Sequence, residues 1–560
     1  MSWLFGYVGG LTPALRARFQ RLHEAPLYGD AGPGHYLQAG GLPATCCQGV
    51  LKDAPGQWFV VGLGLDPAHH RVLDGTAWQR ILSAPKPVLG ALDGHFVAAT
   101  VSGAAVHVYT DQLGTRTLHY ASCGEGWVFS TRLDWLAALR GGLDIDYAAF
   151  GSHWITFNQL SSRSQVQGLT RLGPGGHLAL CTHSRKASDH DWECEVGSAD
   201  VNGGSFAQAV SGYCSPAGLG PASLGLSGGL DSRLLLALGA RQTHTFGPSG
   251  HPDVRLARRI ASSEGIPQHH LYAQDWDADA AIALLEARAR TTPPVSAASS
   301  VLDLHHYEHL HQSGACIIDG GFGEVARRQF MNRLLHFGKG WGDPKDVLPH
   351  IRTARAQVFC REATDAMTGG ALEDIACLRD RLPQKLDAEN AVDLIGVRTR
   401  LPNFFGLEQS RLDGQAACFM PFAQPSVLRA LFQLPLALRR NGRLFKKLIR
   451  TRRPSLARYP LIKGTTSYPF HFSTLGAQLL GRIKKKAGFA YRDPRPQAFL
   501  QAVKPWALDL VHSDGVRTYA AYDRVKLERV VLGYYQGNTA MAGALDWWLA
   551  FETWRRTLRT

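Results

Sequence analysis

Two patterns of apolar and polar residues divide the chain near residue 200. Before that point, turns containing Gly and Asp separate short runs rich in aromatic and β-branched residues, such as 57–63, 94–101 and 105–110. Runs of this kind predict stacked antiparallel sheets. After about residue 203, strand-like runs alternate with amphipathic stretches of helical length. This alternation predicts a parallel sheet with helices on both faces.

The two patterns predict two domains, 1–200 and 201–560. We expect the first to be α+β and the second to be α/β with a helical C-terminal part. Predicted strands and helices of the second domain include strands 243–247, 269–273 and 315–319 and helices 253–265, 277–290 and 300–312. Ligands of parallel sheets bind at the C-terminal ends of the strands, so the residues that follow these strands are candidates for a site.

A turn of small and hydroxyl residues follows the first predicted strand of the second domain, and its sequence is Ser227-Gly228-Gly229-Leu230-Asp231-Ser232. Gly228 and Gly229 let the backbone approach an anion, and the following helix N-terminus points free N–H groups towards it. Ser227 and Ser232 add hydroxyl groups, and Asp231 can hold a divalent cation. The turn therefore predicts a site for the pyrophosphate part of ATP. It is neither a Walker loop nor a GxGxxG loop.

Composition and charge narrow the class of protein. The 560 residues are 45% hydrophobic and 19% charged, as in ordinary globular proteins. No apolar run reaches the ~18 residues of a membrane span, and no signal pattern begins the chain, so we expect a cytoplasmic protein without a membrane partner. Ten cysteines without CxxC spacing favour neither a disulfide framework nor a zinc site. A net charge of +14 favours an anionic partner: ATP, nucleic acid or an acidic peptide.

The turn Ser227-Gly228-Gly229-Leu230-Asp231-Ser232 resembles the PP-loop of the ATP pyrophosphatase superfamily, also called adenine nucleotide alpha-hydrolase-like. Members of that superfamily cleave ATP between the α and β phosphates and adenylate a substrate. The resemblance implies the same reaction here. The alternative interpretation is an ordinary glycine-containing turn at the start of a helix, without a role in binding phosphate.

The first half contains a second resemblance. Leu92-Asp93-Gly94-His95-Phe96, the run 109–120 and the segment 172–177 are similar to parts of class II glutamine amidotransferases and their linker to a synthetase domain. This implies a glutaminase-like fold of the Ntn-hydrolase type. Phe5 falls where that family has its cysteine nucleophile, so we expect a degenerate domain without glutaminase activity. Ser2 is an alternative nucleophile after removal of Met1, but it precedes the matching strand.

Two further segments resemble asparagine synthetases. Thr245, Gly247 and Asp253 match a segment that lies beside adenine in that family, although Asp253 alone is equally typical of a helix N-cap. The segment 317–324 resembles the family's acidic turn that binds magnesium. The resemblance implies Asp231 and Glu324 as ligands of Mg²⁺, with Asp319 in reserve. A helix-capping role is the alternative for Glu324.

Basic residues between positions 446 and 463 complete the resemblance to asparagine synthetases. Lys446 and Arg450 are spaced to lie on one helical face, in a segment similar to GxxxKxxLR of asparagine and β-lactam synthetases. Lys463 falls at the family's catalytic lysine to within one residue. Cations there would stabilise charge that develops on pyrophosphate and the acyl-adenylate. A solvated basic face is the alternative interpretation. Glu408 is a candidate base for the amine.

Together these motifs resemble asparagine synthetase-like ligases, and most of all the lasso peptide macrolactam synthetases, which also have an inactive glutaminase domain. The resemblance implies ATP- and Mg²⁺-dependent adenylation of an Asp or Glu side chain of a precursor peptide, followed by attack of the peptide's N-terminal amine. It also implies a leader-binding protein and a leader protease as possible partners, and no nucleic acid. Asparagine or β-lactam synthetase chemistry on a small molecule, a tRNA-modifying enzyme and a non-enzymatic scaffold are the alternatives.

Overall fold

The computed structural model describes residues 1–23, 25–52, 55–182, 184–272, 276–464, 466–486 and 491–559. Strands of the first half are β1 (Trp3–Val8), β2 (Tyr28–Gly32), β3 (His35–Gly40), β4 (Cys46–Val50), β5 (Gln57–Asp66), β6 (Arg71–Val72), β7 (Asp93–Ser102), β8 (Ala105–Thr110), β9 (Leu118–Cys123), β10 (Gly126–Ser130), β11 (Thr170–Leu172), β12 (His177–Cys181) and β13 (Ser184–Ser188). Its helices are α1 (Pro13–Gln20), α2 (Gly75–Leu82), α3 (Leu133–Arg140) and α4 (Tyr147–Ile155).

Elements of the second half, as far as the acidic turn, are α5 (Gly204–Gly212), β14 (Ala222–Gly225), α6 (Leu230–Leu238), β15 (Gln242–Phe246), α7 (Pro252–Ser263), β16 (Gln268–Leu271), α8 (Ala278–Ala289), α9 (His305–Gln312), β17 (Cys316–Ile318) and α10 (Gly323–Ala326). The helical region continues with α11 (Asn332–His336), α12 (Pro344–Ile351), α13 (Arg361–Asp380), α14 (Ala388–Ile395), a π-helix (Gly396–Phe405) and α15 (Gly406–Leu412). The last elements are β18 (Cys418–Phe419), α16 (Pro425–Phe432), α17 (Leu436–Arg439), α18 (Arg443–Arg452), β19 (Leu461–Lys463), β20 (Thr466–Tyr468), α19 (Thr474–Lys486), α20 (Arg495–Ala502), α21 (Lys504–His512), α22 (Asp514–Arg517), α23 (Arg524–Tyr535) and α24 (Ala542–Thr557).

Two antiparallel sheets are stacked in the first half, as predicted. Their strand orders are β11-β9-β10-β1-β3-β2 and β13-β12-β8-β7-β5-β4, with β6 paired to β5. Alternation along β8 turns Val106 and Val108 inward, where they pack with Leu4 and Leu37 of the other sheet. Period-2 patterning thus places one apolar face of each sheet in a shared core.

A five-stranded parallel sheet forms the centre of the second half, in the order β16-β15-β14-β17-β18. The β–α alternation predicted from the sequence is confirmed, and so is the fold class. The predicted helix 300–312 differs, because residues Ala298–Leu304 form a 3-10 helix and only α9 is α-helical. Strand β14 lies in the middle of this sheet, so the loop after it opens at the sheet's C-terminal edge.

The two halves share buried side chains. One hydrophobic cluster contains Trp3 and Phe150 from the first half together with Ile317 and Trp548 from the second. The boundary between residues 200 and 201 stays a prediction. In the part of the chain that the structure describes, no helix is long and apolar enough to cross a membrane.

Candidate active site

The turn after β14 is built around hydroxyl groups and the start of α6. The Ser227 N–H donates to the Ser232 hydroxyl at 3.1 Å, and the two hydroxyl oxygens lie 3.0 Å apart. Gly229 is the N-cap of α6, and no described side chain caps this end of the helix. A Cβ on Gly228 would come within 2.7 Å of Ile462 Cδ1, so only glycine fits there. The N–H groups of Ser227, Gly228 and Gly229 are bonded to side chains, so it is the first turn of α6 that presents uncapped backbone N–H groups to an anion.

Arg233, one residue beyond the predicted motif, fastens this turn to the segment that leads into β19. Its side chain is fully buried. It donates to the carbonyls of Gly228 at 3.3 Å, Tyr459 at 2.9 Å and Pro460 at 2.7 Å. The Ile462 N–H also donates to the Gly228 carbonyl, at 2.9 Å. These bonds fix the position of β19 relative to the phosphate turn.

Replacing Arg233 by methionine is therefore expected to lower the free energy of unfolding by about 3 kcal/mol, because several buried carbonyls lose a charged donor. We also expect weaker ATP binding, since the turn and β19 lose their common anchor. Urea denaturation and nucleotide titration measure the two effects. Arg241→Met, at an exposed position after α6, is the matched control and should change neither. Equal stability of the two variants would contradict the anchoring role.

A cavity of about 690 Å³ opens at the C-terminal edge of the parallel sheet. Its volume lies within the usual range for small-molecule sites. The structure brings most predicted site residues to its walls: Ser227, Gly229, Asp231, Ser232, Thr245, Gly247, Asp253, Asp319, Glu324, Lys446 and Lys463. Three others, Gly228, Arg450 and Glu408, are not among the described residues that line it.

Asp253 contacts the phosphate turn directly. Its Oδ1 accepts a hydrogen bond from the Gly228 N–H at 2.8 Å. His251, and not Asp253, is the N-cap of α7. Burial raises the pKa of Asp253, although the Gly228 N–H opposes this effect. Asp253 thus stabilises the phosphate turn. Thr245 and Gly247 line the cavity beside it.

Each of the two predicted magnesium carboxylates is held by an arginine. Arg327 Nη2 donates to Asp231 Oδ2 at 2.6 Å, and Arg400 Nε donates to Glu324 Oε1 at 2.9 Å. Burial raises the pKa of Asp231, while Arg327 acts in the opposite direction. Sequence reasoning missed both arginines. In the sequence, the only local feature that pointed to Arg327 was its place one helical turn after Glu324. No local feature of the sequence pointed to Arg400.

Asp319 stands at the end of β17 and is exposed towards the cavity. Its Oδ1 accepts from the Gly321 N–H at 2.9 Å, and no ion pair joins it to a basic side chain of the described residues. Burial within the site raises the pKa of Asp319, the Gly321 N–H opposes this effect, and the nearby carboxylates of Glu408, Asp231 and Glu324 add to the rise. Among the described residues, no three His, Cys, Asp or Glu side chains form a ready metal site.

The two lysines reach the cavity from different elements. Lys446 on α18 donates from Nζ to the Phe472 carbonyl at 2.7 Å. Burial lowers its pKa, and Arg450 lowers it further. Lys463 at the end of β19 is exposed at the cavity wall, and partial burial together with Arg327 lowers its pKa. Two cations with lowered pKa values thus line the same cavity as the phosphate turn.

Two predicted residues point elsewhere. The Arg450 guanidinium lies 5.6 Å from the centre of the Phe470 ring, outside the cavity lining. Glu408 on α15 forms an ion pair with Arg411 and accepts from the Ser296 hydroxyl at 3.4 Å. The sequence placed both residues close to the site, but neither side chain takes part in the walls of the cavity.

Comparison with known proteins supports the chemistry of this cavity. The family model described as asparagine synthase matches residues 207–321, which include the phosphate turn and β17. No curated protein matches the chain. One similar solved structure is a glutamine phosphoribosylpyrophosphate amidotransferase from B. subtilis complexed with ADP and GMP, at 10% identity over 58% of this chain and 77% of that chain, with a TM-score of 0.23.

A second solved structure is titled as the allosteric regulatory enzyme of purine biosynthesis; it has 10% identity over 70% of this chain and 87% of that chain, with a TM-score of 0.22. Both TM-scores are too low to conclude a shared fold. The family match and the cavity built around the phosphate turn agree with each other, since members of the asparagine synthase family use ATP. Residues 207–321 are thus similar to asparagine synthase, and the chain is an ATP-dependent amide ligase, an enzyme that forms carbon–nitrogen bonds.

Proposed function

We propose that this enzyme adenylates an Asp or Glu side chain of a precursor peptide and joins it to the peptide's own N-terminal amine. The product is a macrolactam ring closed by an isopeptide bond, and AMP and pyrophosphate are released. The observation that carries the proposal is the combination of a cavity lined by most of the predicted adenylation residues with an aromatic cluster around Phe5, where the glutaminase family has its nucleophile. Such an enzyme cannot take ammonia from glutamine in its first half, which favours an amine that the substrate itself supplies.

That aromatic cluster surrounds Phe5. The Phe5 side chain is fully buried, and its ring centre lies 5.2 Å from that of Phe19 and 6.3 Å from that of Trp135. A phenyl ring has no nucleophilic atom, and its neighbours fill the space beside it. Ser2 is also fully buried and its hydroxyl lies 2.6 Å from that of Thr45. Neither residue supports release of ammonia from glutamine.

In the first step, a carboxylate oxygen of the substrate attacks the α-phosphorus of ATP, the bond between the α-phosphorus and the bridging oxygen breaks, and pyrophosphate leaves. The N–H groups at the start of α6 and the hydroxyls of Ser227 and Ser232 hold the pyrophosphate. Lys463 and Lys446 stabilise the negative charge that grows on the leaving group. Because these donors are already in place, no reorganisation is needed at the moment of reaction.

In the second step, the amine attacks the acyl carbon, an amide bond forms and AMP leaves. Folding of the peptide within the site supplies the proximity that makes the attack intramolecular. The proton of the amine leaves to water in this scheme, because the carboxylate of Glu408 is occupied by Arg411 outside the cavity wall.

Mg²⁺ fits the acidic side of this cavity. Magnesium in nucleotide sites is held by one or two carboxylates together with phosphate oxygens, so three protein ligands are not required. Asp319 faces the cavity without an ion pair among the described residues, and Asp231 and Glu324 lie close enough to raise its pKa. We therefore propose that two of the carboxylates Asp231, Glu324 and Asp319 hold the ion together with phosphate oxygens. Bound there, Mg²⁺ would neutralise charge on the phosphates.

The remaining partners belong to the same proposal. A net charge of +14 suits an acidic peptide as well as ATP. A leader-binding protein and a leader protease would act on the precursor peptide separately from this chain. We propose no nucleic-acid partner and a cytoplasmic location.

The experiment that tests the function measures AMP and pyrophosphate release from ATP with leader-free candidate peptides, for the wild type and for Asp231→Asn. Stoichiometric AMP and pyrophosphate, together with a peptide lighter by one water, are expected only for the wild type. Turnover with aspartate and ammonia but with no peptide would replace the proposal by small-molecule amide synthesis.

The lowered pKa values of Lys446 and Lys463 predict the alkaline side of the rate profile. Both lysines act as cations, so activity should be full below their folded pKa values and fall as the pH rises through them. The fall should therefore begin below the ordinary lysine pKa of about 10.4. In Lys463→Arg, the part of the fall due to this residue should move to higher pH, as measured from kcat/KM between neutral and alkaline pH. An unchanged profile would argue against Lys463 as the titrating cation.

A further inference from the structure

A second pocket of about 350 Å³ shares a wall with the nucleotide cavity. Glu324 and Gln329 line both spaces. The wall is held from the nucleotide side, because Arg327 donates to Gln329 and also pairs with Asp231. A molecule whose reacting group lies in the nucleotide cavity can therefore extend over Glu324 and Gln329 into the second pocket.

Apolar side chains form the floor of this pocket. They come from the segment after α4, from the segment between α10 and α11, and from α11 and α12: Phe157, Phe330, Met331, Leu334 and Ile351. The rings of Phe157 and Phe330 meet edge to face with centres 5.3 Å apart. Such a floor gains free energy when it takes an apolar side chain out of water.

The rim of the pocket is cationic. Arg352 is exposed there and Arg400 is half-buried, while the half-buried His350 adds a polar ring to the lining. Arg400 is fixed in place by Glu324 at 2.9 Å and by the Phe404 ring, 4.4 Å from its guanidinium carbon. Glu324 is the one acidic residue among the described residues that line the pocket, and Arg400 balances its charge. A lysine of a ligand would therefore meet repulsion here.

We propose that this pocket binds an apolar side chain of the peptide substrate, next to the carboxylate that is adenylated, and that it sets the enzyme's sequence preference. The inference rests on the proposed function. Two observations carry it: the shared wall, which places the pocket directly beside the reaction site, and the apolar floor under a cationic rim. A peptide chain advances about 3.3–3.6 Å per residue when extended, so residues next to the acid can reach across the wall.

The test uses synthetic short peptides with a free N-terminus and one Asp, identical except for Leu, Ala or Lys beside the Asp. Pyrophosphate release is measured against peptide concentration. The Leu peptide should have a KM about tenfold below that of the Ala peptide, and the Lys peptide should be worst, while kcat changes little. Phe157→Ala should remove most of the difference between Leu and Ala. Val525→Ala, at an exposed apolar side chain on α23 that is not among the described residues lining either space, is the control and should keep the preference.

A second variant does not depend on the apolar floor. Arg352→Glu reverses the charge at an exposed rim position, so it should leave folding intact. It should lower the KM of the Lys peptide about tenfold or more and raise the KM of a peptide that has an acidic residue at the same position. The pocket assignment is wrong, and the proposed function stands, if the wild type releases pyrophosphate with all these peptides at similar KM values. The same holds if neither Phe157→Ala nor Arg352→Glu changes the KM differences between the peptides. If no peptide supports pyrophosphate release, the proposed function fails, and the pocket assignment fails with it.

Discussion

Replacing Lys463 by methionine is expected to lower kcat about 100- to 1,000-fold, the usual cost of removing one preorganised donor from a developing charge. Methionine keeps most of the length and the apolar stem of the side chain but removes the cation. Because Lys463 is exposed at the cavity wall, folding should not suffer, and the thermal midpoint should stay that of the wild type. Pyrophosphate release under saturating ATP and peptide measures the effect.

Lys447→Met is the matched control for this prediction. Lys447 lies on α18 beside Lys446, is exposed, and is not among the described residues that line the cavity. The control variant should retain wild-type kcat. If Lys463→Met kept activity within a few-fold of the wild type, the cation that stabilises pyrophosphate would have to be sought at Lys446 or Arg327.

Replacing Arg116 by methionine should lower the free energy of unfolding by about 3–5 kcal/mol, since it leaves Asp413 as a buried unpaired charge. Both side chains are fully buried and form an ion pair between the two halves of the chain. Arg116 also donates to the Ser2 carbonyl at 2.8 Å. Urea denaturation gives the value directly.

Arg361→Met breaks an exposed pair with Asp365 and should cost less than about 1 kcal/mol. The double variant Arg116→Met, Asp413→Leu removes both buried charges and should recover much of the loss. A double variant as unstable as Arg116→Met alone would show that the loss comes from packing around Arg116 and not from the stranded carboxylate.

Local pattern was enough to predict most of the fold and part of the site. The phosphate turn is contiguous in sequence, so Ser227, Gly229 and Ser232 could be assigned from their order alone. The parallel sheet then explains why Asp319 and Asp231 face the same cavity, because β14 and β17 are neighbours and end at the same edge. Regular periodicity and strand order therefore carried these predictions.

Contacts between distant segments could not be predicted in this way. Arg327 meets Asp231 across 96 residues, and Arg400 meets Glu324 across 76. The partner of a side chain was also beyond local pattern. Glu408 lies in the expected neighbourhood, but it forms an ion pair with Arg411, one turn further along α15, and is not among the described residues that line the cavity. Long-range pairing and side-chain direction depend on tertiary packing, which the spacing of residues does not encode.

The π-helix Gly396–Phe405 constrains how this protein can vary in length. A π-helix accommodates extra residues through its wider i→i+5 turns, and such turns are often found at functional sites. Deleting one residue would favour ordinary α-helical turns and rotate one flank against the other by about 100°, the angle of one residue in an α-helix. Arg400 would then leave Glu324 and Phe404. Related enzymes should therefore tolerate substitutions in this stretch far better than insertions or deletions.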